Sequence, residues 1–256
     1  MMISDYKNIS MKRISVLTPT RGRPVKALDM AVSALNKAGD IDRIKLWFWL
    51  DEDDPEMDEY MNNLAYGPYA EWIQIMAGPQ QPIGKCWNYM ATHEFQRGDV
   101  LMMGNDDIIF QSENWDSVVL TMDEFFTDGI YVFYPHDSND GKCTFPIVSS
   151  KWVDTLGYLY PEIFEFLAHD TYAQRVGQGL DRLIKLKGFV IDHRHFAFGK
   201  SYYDQTYRQH RDNGATKRDR KVLEESTELI DRDIAKLMKL KKKQNDKSEA
   251  NSVNND

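Results

Sequence analysis

The chain has 256 residues, 42% hydrophobic and 12% aromatic, with a formal net charge of −8, which is enough apolar material for one large domain or two small ones and argues against disorder before residue 236. No run of 18 apolar residues occurs, which excludes a membrane-spanning helix, and the N-terminal "MMISDYKNISMKR" lacks the apolar stretch of a signal peptide. Two cysteines, Cys86 and Cys143, make neither a disulfide framework nor a zinc motif, so a reduced, cytoplasmic setting is expected.

In chain order, "RISVLTPT" (13–20) reads as a buried strand stopped at Pro19. After "RGRP", Val25, Leu28, Ala31, Val32 and Leu35 recur at helical spacing until Gly39. A strand from about 43 to 50 then meets the acidic turn "DEDDPEM". "WIQIMAG" (72–78) is strand-like, and "PIGKCWNYMATHEFQ" is helical from about 84. "DVLMMGNDDIIF" is a strand interrupted by two aspartates, "ENWDSVVLTMDEFF" a helix and "GIYVFYP" a strand. This alternation predicts an α/β fold with a mostly parallel central sheet and helices on both faces.

Beyond 141 the pattern changes. "CTFPIVSSKWVDTLGYL" reads as a strand and a turn. "HDTYAQRVGQGLDRLIKLKG" reads as a helix with Tyr172, Val176, Leu180 and Leu183 on one stripe. A short strand, "FVIDH", leads into a loop rich in histidine and aromatics, followed by a charged amphipathic helix. The last residues, 244–256, have the composition of a disordered tail. The expected organisation is therefore a domain over 1–199, with a first half about 13–110 and a second half about 111–199, then a basic aromatic loop and helix over 200–243. Charge follows the same division. Through residue 199 there are 18 Lys and Arg against 29 Asp and Glu; over 200–243 there are 13 against 8. Such a basic segment either meets a polyanion or lies as a solvated helix across an acidic surface.

Ligands of an open α/β sheet bind beyond the carboxyl ends of its strands, so the residues there are the ones to read. They are Thr18, Pro19, Arg21 and Arg23 after the first strand; Asp51 and Asp53 after the second; Lys85 soon after the third; and Asn105, Asp106 and Asp107 after the fourth. If "GNDD" continues the strand, Asn105 and Asp107 face one side and Asp106 the other. Hard divalent ions take one or two carboxylates plus a substrate's phosphates, so this element is a candidate metal site; two capping aspartates in an acidic turn are the alternative. His193 and His195 share a face if extended, and imidazole suits Mn²⁺ or Zn²⁺ better than Mg²⁺. His169 and Asp170 precede a helix, where Asp170 is either its N-cap or a general base. The phosphate-binding G-x-x-x-x-G-K-[ST] and G-x-G-x-x-G motifs are absent, as is the hydrolase G-x-S-x-G.

The order of "SVLTPTRGRP", "WFWLDEDD", "PIGKCWNYM", "LMMGNDDIIF" and a later helix-opening Asp before a histidine loop resembles GT-A type nucleotide-sugar glycosyltransferases, of the family-two kind and its small phage and bacterial relatives, over roughly residues 13–200. The resemblance implies a Rossmann-like GT-A fold and a nucleotide-sugar donor, expected to be UDP-linked. It implies that Thr18, Pro19, Arg21 and Arg23 hold base and ribose, that Asp51 or Asp53 contacts the base, and that Lys85 touches the donor. The family's D-x-D element falls on Asn105, Asp106 and Asp107, with Asp106 toward the ribose and Asp107 on Mn²⁺ or Mg²⁺. Asp170 would be the catalytic base, and His195 or His193 would complete the metal site. Asn105 departs from the pattern, leaving one carboxylate fewer for the metal.

For the acceptor, the basic aromatic stretch "KSYYDQTYRQHRDNG" suits phosphates and stacked bases. Some phage enzymes of this kind glycosylate hydroxymethylated pyrimidines in DNA, which makes DNA through residues 200–243 the leading expected partner and host cytoplasm the expected setting. A cell-surface or capsule glycan is the alternative acceptor. A metal-dependent nuclease or nucleic-acid-binding module is the alternative of another class.

Overall fold

A computed structural model describes residues 11–93, 97–137, 142–212 and 214–253, with side chains except those of 209–212 and 242–253. β1 (Ile14–Thr20), β2 (Ile44–Asp51), β3 (Ile73–Gly78) and β4 (Val100–Met103) pair in parallel. Between them run α1 (Pro24–Asn36), the short α2 (Met57–Tyr60) and α3 (Ile83–Thr92). Pro24 opens α1, where its missing N–H would have no intrahelical partner anyway, and Ala27, Met30, Ala31, Ala34 and Leu35 form the buried stripe. β1, β2 and β4 are buried at almost every position, as parallel strands covered on both faces must be.

The chain continues through β5 (Ile108–Phe110), α4 (Trp115–Phe125), β6 (Val132–His136), β7 (Ile147–Ser149), α5 (Ser150–Leu156), α6 (His169–Gly179) and β8 (Leu183–His193). The sheet order is β3-β2-β1-β4-β7-β6-β8-β5. β7 runs antiparallel to β4 and β6, and β5 antiparallel to β8; β6 and β8 are parallel. The sheet is therefore mixed, which corrects the expectation of a mostly parallel one. The connections explain it. A parallel crossover needs a dozen or more residues, and the chain from β6 to β7 is shorter, so β7 returns antiparallel.

Two local readings also change. "SKWVDTL" is α5 rather than a turn. The helix expected to run past Leu183 ends at Gly179; Asp181 then turns at φ 53° and a long strand, β8, begins.

α7 (Gln205–Asp212), α8 (Ala215–Glu225) and α9 (Thr227–Val253) complete the described chain. α9 packs on α5 and α6 with Ile230 and Leu237 buried, and its buried Asp233 accepts hydrogen bonds from the hydroxyls of Tyr158 (2.6 Å) and Tyr172 (2.8 Å). α9 reaches Val253, inside the segment read from composition as a tail; residues 254–256 lie outside the described residues. Among the described residues no helix is long and apolar enough to cross a membrane.

β1 has β2 on one side and β4 on the other, so strand order reverses at β1/β4, the place where α/β sheets bind ligands. The backbones approach closely there. Gly104 N–H donates to Leu17 O at 2.8 Å, and a Cβ at residue 104 would come within 2.4 Å of Thr18 Oγ1, so only glycine fits.

Candidate active site

A cavity of about 460 Å³ opens over this switch point. Of the residues expected to bind a donor, Pro19, Arg21, Arg23, Asp51, Asn105 and Asp106 line it, as do Asp107, His193, His195 and Asp170. Three expected residues do not. Thr18 is fully buried, with its Oγ1 against Gly104. Asp53 is an exposed partner of Arg21. Lys85 points elsewhere: Ile83, Cys86 and Trp87 form the cavity face of α3, whereas Lys85, Asn88, Tyr89 and Thr92, at i, i+3, i+4 and i+7, line a separate cleft where Lys85 pairs with Glu162 at 3.8 Å.

At one end the β1 loop is tied to the acidic turn after β2. Arg21 bridges Asp51 (3.1 Å) and Asp53, and Gly22, in the left-handed region at φ 65°, donates its N–H to buried Asp54 (2.7 Å). Burial raises the Asp51 carboxyl, and Arg21 pulls it back only in part. Trp49 and Pro19 add flat apolar wall beside these charges.

In the centre, residues 104–107 do not continue the strand. β4 ends at Met103, the chain turns, and Asn105, Asp106 and Asp107 all reach the cavity, so Asp106 does not face the far side as alternation predicted. Asp106 accepts from Thr20 Oγ1 (2.7 Å) at one oxygen and from Arg23 Nη1 (3.0 Å) at the other. Burial raises its carboxyl against the opposing pull of Arg23. β5 and β8 are in register with Ile108 opposite His193, which sets the imidazole against Asp107: Nε2 is 3.5 Å from Asp107 Oδ1, and Nδ1 is 3.6 Å from Asp137 Oδ2. Those are ion-pair distances, longer than hydrogen bonds. Burial would lower the His193 imidazole, but the two carboxylates push it up to about 9; burial would raise Asp107, but His193, Tyr207 and Arg23 bring it down to about 2. His195 uses Nδ1 to cap its own turn, accepting from Ala197 N (3.1 Å), and its ring lies 5.3 Å from that of His193.

Among the described residues, no three His, Cys, Asp or Glu side chains converge as a ready-made metal cage. What does converge is a set of buried polar atoms without hydrogen-bond partners: Asp107 Oδ1, Asn105 Oδ1 and both nitrogens of His193, of which the deprotonated one would be the ligand. Oxygen plus imidazole is the donor chemistry of Mn²⁺. A partial protein shell completed by substrate phosphates is the usual arrangement for such ions. The residues fit a divalent ion, with Asp107 and His193 as its best-placed ligands.

At the other end stands Asp170. It is not the N-cap of α6, since that position is Ala168 at φ 76°; Asp170 is the second residue of the helix. Its Oδ1 accepts from Thr171 N (2.6 Å) and Thr171 Oγ1 (3.2 Å), and burial raises its proton affinity. His169 is boxed by Trp87, Tyr160 and Phe164, and burial pushes its imidazole down to about 3. It stays neutral in the fold, whereas the unfolded chain takes up a proton near pH 6.5. Between about pH 6.5 and 3 the unfolded state binds the extra proton, so this contribution to stability falls as pH falls, by roughly 1.4 kcal/mol per unit of displacement. Urea unfolding of wild type and His169→Gln from pH 7 to 4 should show a steeper acid loss in wild type, by close to one proton; parallel curves contradict this account.

Several residues at the site had no signal at short range. Tyr207, in α7, donates its hydroxyl to Asp107 Oδ2 (2.8 Å) and carries the Arg23 guanidinium over its ring at 4.2 Å. Asp204 grips the same guanidinium through two hydrogen bonds (2.9 and 2.8 Å). Part of the segment expected to meet DNA thus closes on the cavity instead.

No protein-family model matches the chain, and no curated protein matches its sequence. The fold is that of GT-A-like glycosyltransferase structures. The mannosyltransferase PcManGT from Pyrobaculum calidifontis, in complex with GDP-Man and Mn²⁺, matches 72% of this chain with a TM-score of 0.58 and 9% identity. S. aureus TarS 1–349 matches 77% in complex with UDP-GlcNAc (TM-score 0.53, 12% identity) and 70% in complex with UDP (0.53, 13%). The chain spans 57% of the PcManGT chain and 64% and 60% of those TarS chains. At such identities the likeness is one of fold.

Proposed function

We propose that this chain is a metal-dependent glycosyltransferase that moves a sugar from a nucleotide-sugar donor, UDP-linked, to a hydroxyl acceptor. The observation that carries the reading is one cavity at β1/β4 faced by the Arg21–Asp51 pair, the Asp106–Arg23 pair, Asp107 beside His193, and the separate carboxylate of Asp170. Pro19 and Trp49 would flank the base, Arg21 and Asp51 would meet its polar edge, and Asp106 would meet the ribose. A divalent ion, Mn²⁺ or Mg²⁺, would be held by Asp107 and His193 together with the donor phosphates, and would supply positive charge where the diphosphate departs. Asp170 accepts the proton of the acceptor hydroxyl as its oxygen attacks the sugar's anomeric carbon; a carboxylate raised by burial is the better base.

A nuclease using both aspartates for metal is less well supported, because both Asp106 oxygens are taken by Thr20 and Arg23. The test is a panel of nucleoside-diphosphate sugars with Mn²⁺, scored for thermal stabilisation and slow hydrolysis of the sugar nucleotide. One donor should stabilise and be hydrolysed; no response to any donor removes the reading.

For the acceptor, we propose the hydroxyl of a hydroxymethylated pyrimidine in DNA. The support is the basic balance of 200–243 and Tyr202, 93% exposed between cavity-lining Phe198 and Thr206, an open ring on which a base can stack. Sugar transfer to hydroxymethylated but not plain duplex DNA is the expected result; transfer only to a glycan moves the acceptor to the cell surface.

A further inference from the structure

Asp170 is reached through backbone that belongs to no strand or helix. Glu165, Phe166 and Leu167 form a loop, and Ala168 then turns through the left-handed region at φ 76°, which alanine adopts only when its surroundings force it. Phe166, Leu167 and Ala168 are themselves cavity wall. Three consecutive N–H groups in such a loop have no ladder to join, and each is a donor that needs a partner. One side chain takes all three. Asp219 of α8, with no exposed surface, accepts from Glu165 N at Oδ1 (3.0 Å) and from Phe166 N and Leu167 N at Oδ2 (2.7 Å each). An ionised carboxylate has the lone pairs for three such bonds, whereas an asparagine in its place has a single accepting oxygen. One turn earlier on the same helix, Thr216 lines the cavity, and its buried Oγ1 has no hydrogen-bond partner. α8 therefore both pins the loop and reaches the cavity.

We propose that Asp219 is the positioning residue for Asp170: through the Glu165–Leu167 amides it fixes the turn from which α6 starts, and so the place of the base. The helix following the sheet is then a working part of the active site. This rests on reading Asp170 as the base. Asp219 touches neither donor nor acceptor, so its loss should displace the base and leave donor binding alone. A displacement near 1 Å is enough for a loss of about 100-fold in rate.

The test compares Asp219→Asn with Asp116→Asn in the full chain. Asp116 is an equally buried carboxylate that caps backbone, accepting from Gly39 N (2.6 Å) and Asp40 N (3.0 Å). It does not line the cavity. Both variants should melt lower than wild type. Only Asp219→Asn should lose kcat, by about 10- to 100-fold, with the donor KM within about twofold. Only Asp219→Asn should speed amide hydrogen exchange over residues 165–172. Equal kcat losses in the two variants, or unchanged exchange over 165–172, overturn the proposal. Exchange is read without substrate, so it decides what Asp219 holds even if wild type transfers no sugar, the result that would sink the glycosyltransferase reading instead.

Discussion

Asp107→Ala should abolish metal-dependent transfer, lowering kcat/KM by at least about 10³-fold, or roughly 4 kcal/mol of transition-state stabilisation. The size follows from how few groups could replace it. Each Asp106 oxygen already accepts a hydrogen bond, from Thr20 and from Arg23, and Asn105 brings only a neutral oxygen. Asp107 is thus the carboxylate of the turn with an oxygen that accepts no hydrogen bond. Its other oxygen is held by Tyr207, which fixes the carboxylate in place. The variant should also lose Mn²⁺ binding measured without substrate, while its circular dichroism stays that of wild type. Near-normal Mn²⁺-dependent activity in Asp107→Ala would show that the metal is held elsewhere.

Asp170→Asn should lower kcat by about 10²- to 10⁴-fold, the range of a lost general base, with donor KM little changed. The substitution keeps shape and the hydrogen bond from Thr171 N, so the helix start survives. It removes only the ability to take a proton. The wild-type pH profile carries a second signature. The base works deprotonated, so kcat should fall as pH drops, with a midpoint above the ordinary carboxylate range because burial raises the group. A variant that raises KM and spares kcat would assign Asp170 to acceptor binding instead.

The strand-end side of the cavity was legible because it depends on local rules. Buried parallel strands are continuous apolar runs, so β1, β2 and β4 stand out, and the strand-end rule leads to Arg21, Arg23, Asp51 and Asp107. The rule misled at Lys85, which lies in the first turn of α3, where the side chain's direction depends on helical phase; Ile83, Cys86 and Trp87 hold the cavity face. Strand alternation at Asn105 and Asp107 holds only in an extended chain, and the chain turns there.

The mixed half of the sheet was harder to read. β7 is three residues long, and β8 begins in "LIKLKG", whose apolar spacing fits a helix as well as a strand; the turn at Asp181 decides it. Tyr207, Asp204 and Asp219 were invisible for another reason. Each acts across a large sequence distance, Tyr207 on Asp107 and Asp219 on the 165–167 loop, and no periodicity encodes such pairs. The charged stretch after residue 200 looked like a surface because charge patterning records composition; its Asp219 and Asp233 are fully buried.

On this reading the β1/β4 cavity should bind a nucleoside diphosphate through a divalent ion on Asp107. The most direct measurement is calorimetric titration of UDP into wild type and Asp107→Ala, each with Mn²⁺ and with EDTA. Wild type should bind UDP only when Mn²⁺ is present, and the variant should bind little or none under either condition. Equal UDP binding in all four titrations, or none to wild type with Mn²⁺ by UDP or by GDP, would contradict it.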